Sequence, residues 1–443
     1  MWTVARGRRP ASYAARIEHQ VATGSRRTTR WLIGILALAL AVRVGAVVVF
    51  HSIQSITMGG RRVVALANEP LFPDALEYLK VARSVRGGRG LVVDGVSRIG
   101  RMPGYPVFLA LVQSACGESL LGVRLVQAVV GTGVVWLVWL LARELYGDRQ
   151  ACLAAAISAV YPYFVMFTPL VLAETVFIAL FLWAAVFLEL GFARGRWLSA
   201  VLAGVFLGLA VLVRASLLPW VFGAAVMWVL LRRLERGAVA RAAAMLAVFC
   251  AVMAPWVMRN YSASGGHVVV TTLRAGSSLY EGLNPKADGG PMLDRIDWGD
   301  GTEGMNEYEQ DRLWRSRALA FAHSRPGRVL ELAGTKLMRF WNVVPNYRSF
   351  RVPWLCVVVG VPYVGVMLLA FAGLARSWRR PDVHLILVLP VVYYAVLHAV
   401  FVGSVRYRVA IMPLLIVLAS HGLASLFWRG ERKGQRRGEH GVE

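Results

Sequence analysis

Long uninterrupted apolar blocks alternate along the chain with shorter polar stretches. The blocks show neither the period of two of half-buried strands nor the single stripe of a soluble helix. The first, Trp31 to Phe50, follows thirty residues that carry seven Arg and one Glu. It outruns the apolar part of a cleavable leader and has no small-residue cleavage site, so it reads as an uncleaved span. Further blocks fall at about 119–142, 151–168, 172–191, 198–213, 215–231, 241–258, 353–375, 383–403 and 407–428. Measured against the ~20 residues that cross a bilayer, they predict about ten spans, with both termini on one side.

The short connections set the orientation. Those assigned to the inside carry Arg143 and Arg149; Arg194 and Arg196; Arg232, Arg233, Arg236 and Arg241; and Arg376, Arg379 and Arg380. Those assigned to the outside carry none at 169–171, Arg214 alone at the next, and Arg406 with Arg408 at the last. Basic residues stay in the cytoplasm, so the expected arrangement is N-in and C-in within the plasma (inner) membrane. The expected divisions are a basic cytoplasmic tail (1–30), spans one to seven (31–258) with a first outer loop at 51–118, an outer loop domain (259–352), three more spans (353–428) and a second tail (429–443). The fold class is an all-α polytopic membrane protein whose second outer region is a small α/β-like soluble segment.

Composition agrees. The chain has 443 residues and formal charge +24, yet 57% of it is apolar and 17% charged. Mean hydropathy is +0.55 and the isoelectric point about 10.9. A disordered basic protein would lack that apolar content, and a soluble enzyme rarely reaches that hydropathy. Nucleic acid is therefore not the expected partner; in such a chain the basic charge sets topology and meets anionic lipid. Cys116, Cys152, Cys250 and Cys356 have no paired spacing, and His267, His323 and His398 have no ligand spacing, so neither a disulfide framework nor a metal site is read.

The two outer segments hold the candidate chemistry. Within the first, Pro73-Asp74-Ala75-Leu76-Glu77-Tyr78 opens a short amphipathic helix to about Arg86, with Asp74 and Tyr78 on one face. Asp74 with Glu77 three later also forms a capping box, which alone would account for both. Leu91 to Val96 reads as a hairpin turning at Asp94-Gly95. Arg101-Met102-Pro103-Gly104-Tyr105-Pro106 then leads into a helix over 107–115. The second segment begins with a β run, His267 to Thr272, followed by a turn-rich stretch to Gly304. Helices follow at 306–323 and 327–342, split at Arg325-Pro326. Leu330, Ala333, Leu337, Phe340 and Trp341 share one face of the latter, which suits a helix at the membrane surface.

Taken in order, Asp74 with Tyr78, Arg101 to Pro106, Ala173-Glu174, Ala254-Pro255-Trp256 with Arg259-Asn260, Tyr280 with Asn284-Pro285, and Arg406-Tyr407-Arg408 resemble the GT-C membrane glycosyltransferases. The resemblance is to the bacterial branch related to protein O-mannosyltransferases and the aminoarabinose transferase of lipid A. It runs from the first span to the last. It implies transfer of a sugar from a polyprenyl-phosphate carrier to an extracytoplasmic acceptor (lipid, glycan or protein), with inversion. It also implies an acidic base in the first outer loop, at the position of Asp74. Many relatives carry an Asp-Glu or Arg-Asp pair directly after the first span. Here the acid stands about 24 residues past Phe50, so Glu69 and Glu77 remain alternatives.

The chemistry asks for the same parts. A polyprenyl phosphate leaves as an anion, so one carboxylate must take the acceptor proton and cations must hold the departing charge. Hydrolytic glycosidases instead use paired carboxylates. Glu174, at the outer end of a span, is either a helix-end carboxylate or a second acid that binds a divalent cation or positions the donor phosphate. Arg406 and Arg408 lie outside against the positive-inside trend, where guanidinium groups clamp a phosphate. Arg259 with Asn260 reads either as a site pair or as an interfacial anchor, and Arg43 likewise has a helix-end reading. Lys336, on the surface helix, reads either as a solvated lysine, the favoured reading, or as facing the carrier phosphate. Tyr280 and Asn284 belong either to a loop over the site or to an ordinary turn-rich connection. Trp31, Trp256, Trp354 and Trp428 read as the interfacial belt. The competing class is a transporter or lipid flippase. That class places charges at the midplane and often shows inverted repeats, and this chain shows neither pattern.

Overall fold

In a bilayer an apolar run has no hydrogen-bond partner but itself, so each block closes as a helix. The structure is a computed structural model describing residues 26–52, 56–58, 61–63, 73–93, 96–97, 99–291 and 295–427. The expectations for residues 1–25, Glu69, the Asp94-Gly95 turn, Trp428 and the tail 429–443 lie outside those residues.

Helix α1 (Arg26–Ser52) is followed by a hairpin of β1 (Ile56–Met58) and β2 (Arg61–Val63), then by α2 (Pro73–Arg86). A second hairpin pairs β3 (Val92–Val93) with β4 (Val96–Ser97), as expected, and α3 (Gly104–Cys116) follows. The middle of the chain is α4 (Leu120–Tyr146), α5 (Asp148–Val160), α6 (Pro162–Phe167), α7 (Glu174–Arg194), α8 (Trp197–Val213), α9 (Leu218–Leu231) and α10 (Arg236–Ala263). The polar segment between α10 and α14 contributes α11 (Ala275–Gly282), α12 (Glu307–Ser324) and α13 (Pro326–Phe340). The chain closes with α14 (Pro353–Ser377), α15 (Pro381–Val400) and α16 (Val405–Leu426).

Among the described residues seven helices are long and apolar enough to cross a membrane: α1, α4, α7, α10, α14, α15 and α16. The protein is therefore a multi-pass membrane protein. The other three expected spans differ. Helix α8 and the 215–231 stretch are apolar but shorter. The third expected span, 151–168, is broken into α5 and α6 at Pro162. Proline has no N–H to continue the ladder, and its ring clashes with the carbonyl four residues back. The carbonyls freed there need donors, and Arg43 of α1 supplies them, at 3.2 Å to Ser158 O and 2.9 Å to Ala159 O. Arg43 is fully buried, which corrects its reading as a helix-end anchor.

Helix α16 is the most enclosed span, 78% of its apolar window being buried, and α1 the least at 17%. The former packs on α14, α5 and α4; α7 lies between α4 and α8, and α10 covers α8. The α14–α16 contact depends on Gly373 and Gly422. A Cβ on Gly373 would sit 2.0 Å from Leu418 O, and one on Gly422 2.0 Å from Leu369 O. Such backbone approach is how membrane helices gain packing without a hydrophobic driving force.

In that polar segment, Asn306 caps α12 through a reciprocal box with Glu309, so the helix starts where the sequence indicates. The expected β run at 267–272 is irregular and pairs with no strand among the described residues. Its carbonyls are instead taken by side chains of α10, Trp256 Nε1 to Thr271 O (2.8 Å) and Asn260 Nδ2 to Val269 O (3.1 Å). The valines gave the strand signal, but among the described residues no strand pairs with them. Helix α13 buries Leu332, Lys336 and Phe340, while Leu330 is 74% exposed. Lys336 is not solvated. Its Nζ donates to Val400 O at 2.6 Å, and burial pushes its ammonium down to about 8.

Candidate active site

Five elements meet at one end of the bundle. Helix α2 begins at Pro73, whose fixed φ suits a first helical position, so Asp74 lies inside the first turn and does not cap. Glu77 and Tyr78 follow one turn on. Helix α3 begins at Gly104, where a Cβ would stand 2.7 Å from Leu212 O at the end of α8. Only glycine permits that approach, which brings the Arg101 loop beside Arg214. Glu174 is the first residue of α7, and Arg406 lies in the first turn of α16.

The side chains form an alternating line of charge. Arg274 Nη1 is 3.3 Å from Glu77 Oε2, which also accepts from Arg101 Nε at 2.8 Å. Arg101 Nη2 reaches Asp74 Oδ1 at 2.7 Å, and Arg406 Nη1 reaches Asp74 Oδ2 at 2.9 Å. Arg406 Nε then meets Glu174 Oε1 at 2.5 Å, and Arg214 Nη2 stands 3.8 Å from the same oxygen. Three carboxylates and four guanidiniums leave one positive charge in excess. Asp74 is 22% exposed at its side chain, Glu77 37% and Glu174 1%, so an incoming molecule can touch Asp74 and Glu77 but not Glu174.

Burial on its own would raise the Asp74 carboxyl. Arg101 and then Arg406, through charge and hydrogen bonds, overcome that and hold it well below the usual carboxylate range. Burial would lower Arg101, but Tyr78, Asp74 and Glu77 outweigh it and keep the guanidinium firmly charged. Tyr78 lies under Arg101, its ring centroid 5.3 Å from Cζ, and meets Tyr105 edge-on at 5.0 Å. Burial raises both phenols, so both stay neutral donors. Tyr105 donates to Gln127 Oε1 at 2.7 Å, and Gln127 in turn holds the carbonyls of Thr168 and Leu170 just before Glu174. Tyr407 stacks on His398 with centroids 4.4 Å apart.

Asp74, Tyr78, Arg101, Tyr105, Glu174, Arg406 and Tyr407 are thus brought together. The remaining expected site residues are not. Arg408 points away from Arg406, into the protein. Its Nη1 donates to Phe340 O (3.2 Å) and Asn342 O (2.8 Å), and Cζ lies 3.6 Å from the Tyr363 ring centroid. The expected Arg406–Arg408 clamp is therefore not formed. Arg259 donates to Leu91 O at 2.8 Å and lies over Trp256, while Asn260 is fully buried on Val269 and Thr271. The pair fastens the outer segment to α10. Trp256 is buried and hydrogen-bonded there rather than belonging to an interfacial belt. Tyr280 packs on Trp314 with centroids 5.0 Å apart, and Asn284 closes its own turn through Tyr280 O (2.8 Å) and Lys286 N (2.9 Å).

Arg214, Arg274 and Gln127 are site members that sequence reasoning passed over. The one signal was Arg214, alone among arginines in its outer connection. A divalent cation does not fit the donor set as it stands: a guanidinium bridges the Asp74 and Glu174 carboxylates. Among the described residues no group of three or more His, Cys, Asp or Glu converges to hold a metal.

Glu174 opens α7 and Arg194 ends it, about 30 Å away at ~1.5 Å per residue. Arg194 there pairs with Glu144. The line of charge therefore belongs to one membrane face and is separate from the ion pairs of the other.

Known proteins share this arrangement of helices. Residues 101–258 match the family described as dolichyl-phosphate-mannose-protein mannosyltransferase. Among curated protein sequences, none matches the chain. The oligosaccharyltransferase AglB from Archaeoglobus fulgidus, in complex with an inhibitory peptide and a dolichol-phosphate, superposes with a TM-score of 0.56 at 14% identity, over 95% of this chain and 53% of its own. The apo form of the oligosaccharyltransferase from the same organism gives 0.57 at 14% identity, over 93% and 52%. ArnT from Cupriavidus metallidurans bound to undecaprenyl phosphate aligns over 89% of this chain and 77% of its own, at 15% identity and a TM-score of 0.42. The chain spans about half the length of the oligosaccharyltransferases it matches. The fold is that of the GT-C superfamily of membrane glycosyltransferases, and the family match points to the same class.

Proposed function

We propose that this chain transfers a sugar, hexosyl or pentosyl, from a polyprenyl-phosphate-linked donor to a lipid, glycan or protein acceptor on the extracytoplasmic face. The anomeric centre is inverted and Asp74 is the general base. The observation that carries the reading is Asp74 itself, a partly exposed carboxylate gripped by Arg101 and Arg406 at the end of the bundle. The archaeal oligosaccharyltransferase of the same fold was solved with a dolichol-phosphate, which supports a lipid-phosphate donor.

Asp74 takes the proton from the acceptor hydroxyl as the acceptor oxygen attacks the anomeric carbon from the face opposite the phosphate. The bond from that carbon to the phosphate oxygen breaks, and the carrier departs as an anion that needs no acid. Arg406, in the first turn of α16, stabilises the departing charge. Tyr78 and Tyr105, neutral and fixed, shape the wall beside the base. Glu174 is too enclosed to receive an acceptor proton, and it orients Arg406.

The test is transfer in membranes supplied with labelled carrier sugar. Asp74→Asn should lower transfer by at least ~100-fold, the usual scale for losing a general base, while the variant inserts and accumulates normally. Wild-type-like transfer by that variant would reject the assignment. Comparing lipid-linked sugars and envelope glycans with and without the protein, by mass spectrometry, would identify both ends of the reaction.

A further inference from the structure

The line of charge ends on a guanidinium that is not used up. Arg101 commits its nitrogens to Asp74 and Glu77, Arg274 to Glu77, and Arg406 to Asp74 and Glu174. Arg214 differs. Among the described residues its one polar contact is Nη2 at 3.8 Å from Glu174 Oε1, beyond hydrogen-bond length. Its Nη1 is shielded from solvent and has no hydrogen-bond partner among the described residues. The guanidinium is held between two aromatic faces, with Cζ 5.7 Å from the ring centroids of both Phe177 and Tyr407. A shielded donor left unpaired is destabilising, so it persists where something else offsets the loss. A planar fork fixed between rings suits two oxygens of one phosphate group, and the site's single excess positive charge leaves room for one more anion.

We propose that Arg214 is the residue that receives the phosphate of the lipid donor, and that its docking uncovers the base. A phosphate seated on Arg214 lies beside Arg406, because both reach the same Glu174 oxygen. It therefore competes with Asp74 for Arg406. Once Arg406 turns to the phosphate, Asp74 Oδ2 loses its partner and becomes both free and more basic. The Asp74–Arg406 pair is in this sense a mask on the base that the donor removes, and donor binding precedes acceptor deprotonation. The inference rests on the transfer reading for the identity of the donor, but its test is a binding measurement.

Purified full-length protein in detergent is titrated with a polyprenyl phosphate, with the matching unphosphorylated prenol and inorganic phosphate as separate arms. Arg214→Gln should weaken polyprenyl phosphate binding at least tenfold and leave prenol binding unchanged. Arg214→Lys should recover part of the loss, since it restores charge without the fork. Asp74→Asn, though inactive, should bind polyprenyl phosphate several-fold more tightly than wild type, because Arg406 is released to the ligand. A purely structural role for Arg214 would weaken phosphate and prenol alike, and that result would overturn the proposal. So would unchanged or weaker binding by Asp74→Asn, or inorganic phosphate binding as tightly as the lipid. Absence of any polyprenyl phosphate binding to the wild type would instead count against the donor class itself.

Discussion

Asp74 and Arg406 stand 332 positions apart in the chain and meet through a 2.9 Å contact between Oδ2 and Nη1. Helix α2, after the first span, and the last span are thereby closed onto one another. Glu174 is the second anchor of the same guanidinium and is almost fully enclosed. Removing the arginine would strand a buried carboxylate whose other cation, Arg214, is 3.8 Å away. Breaking one side of a buried pair costs about 3–5 kcal/mol. Arg406→Gln is therefore expected to lower thermal stability clearly and to abolish transfer together. A double variant, Arg406→Gln with Glu174→Gln, should recover much of the stability and none of the activity. Thermal unfolding in detergent beside a transfer assay checks both, and a double variant no more stable than the single one would contradict the pairing.

The depressed Asp74 carboxyl fixes a pH dependence. A carboxyl held below its unfolded value is charged throughout the neutral range. Its stabilising pair is complete above the unfolded value near 4 and is lost as pH falls through the folded value. The donor-free wild type should accordingly show no Asp74-linked loss of stability between about pH 5 and 8. Arg101→Gln removes the leading cation while burial, which favours the neutral acid, remains. The acid limb of the pH–rate profile should move upward by about one pH unit or more in that variant. An unmoved limb would mean that Arg101 does not govern the base.

Arg408 should behave as a structural residue despite lying two positions from Arg406. It supplies the carbonyls of Phe340 and Asn342 and covers Tyr363. Arg408→Leu leaves two carbonyls short of a donor, at about 1–3 kcal/mol each if they stay buried. The expected result is a lower unfolding temperature, with the KM for donor unchanged in the protein that survives purification. A selective rise in donor KM at normal stability would return Arg408 to the phosphate site.

How much of this was legible beforehand follows from the range of each interaction. Apolar blocks are local, so most spans, the break between α12 and α13, and the second hairpin could be read in place. Asp74, Arg101, Glu174 and Arg406 stood out because charge at an outer helix end is conspicuous. What held them was not visible: Glu77 finds Arg274 across 197 positions, and Arg406 finds Glu174 across 232. The Arg408 error has a nearer cause. Residues two apart on a helix face nearly opposite ways, so a pair spaced like Arg406 and Arg408 cannot grip one phosphate once α16 begins at Val405. The β run failed for the converse reason, since valine content marks a willing strand but not the neighbour it must pair with.

Arg43 makes the last prediction, because it decides whether the break at Pro162 is a weakness or a built joint. Three carbonyls, those of Ala39, Ser158 and Ala159, converge on its Nη atoms within 3.2 Å. Gly131 of α4 makes the space, since a Cβ there would stand 3.0 Å from Arg43 Nε. An α5 carbonyl left without a donor in apolar surroundings should open the joint between α5 and α6, which precedes the Gln127-held stretch leading to Glu174. Arg43→Leu is expected to destabilise the protein by a few kcal/mol and to make the peptide around Tyr161 accessible to hydrogen exchange. Gly131→Ala should do the same more weakly, by crowding the guanidinium without removing it. Among the described residues Arg43 and Gly131 meet Ala39, Ser158, Ala159, Thr168 and each other rather than the line of charge, so transfer should fall with the folded fraction and not beyond it. Hydrogen exchange at 158–163, read by mass spectrometry in the two variants, separates the outcomes: protection unchanged in Arg43→Leu would show that the joint holds without its arginine.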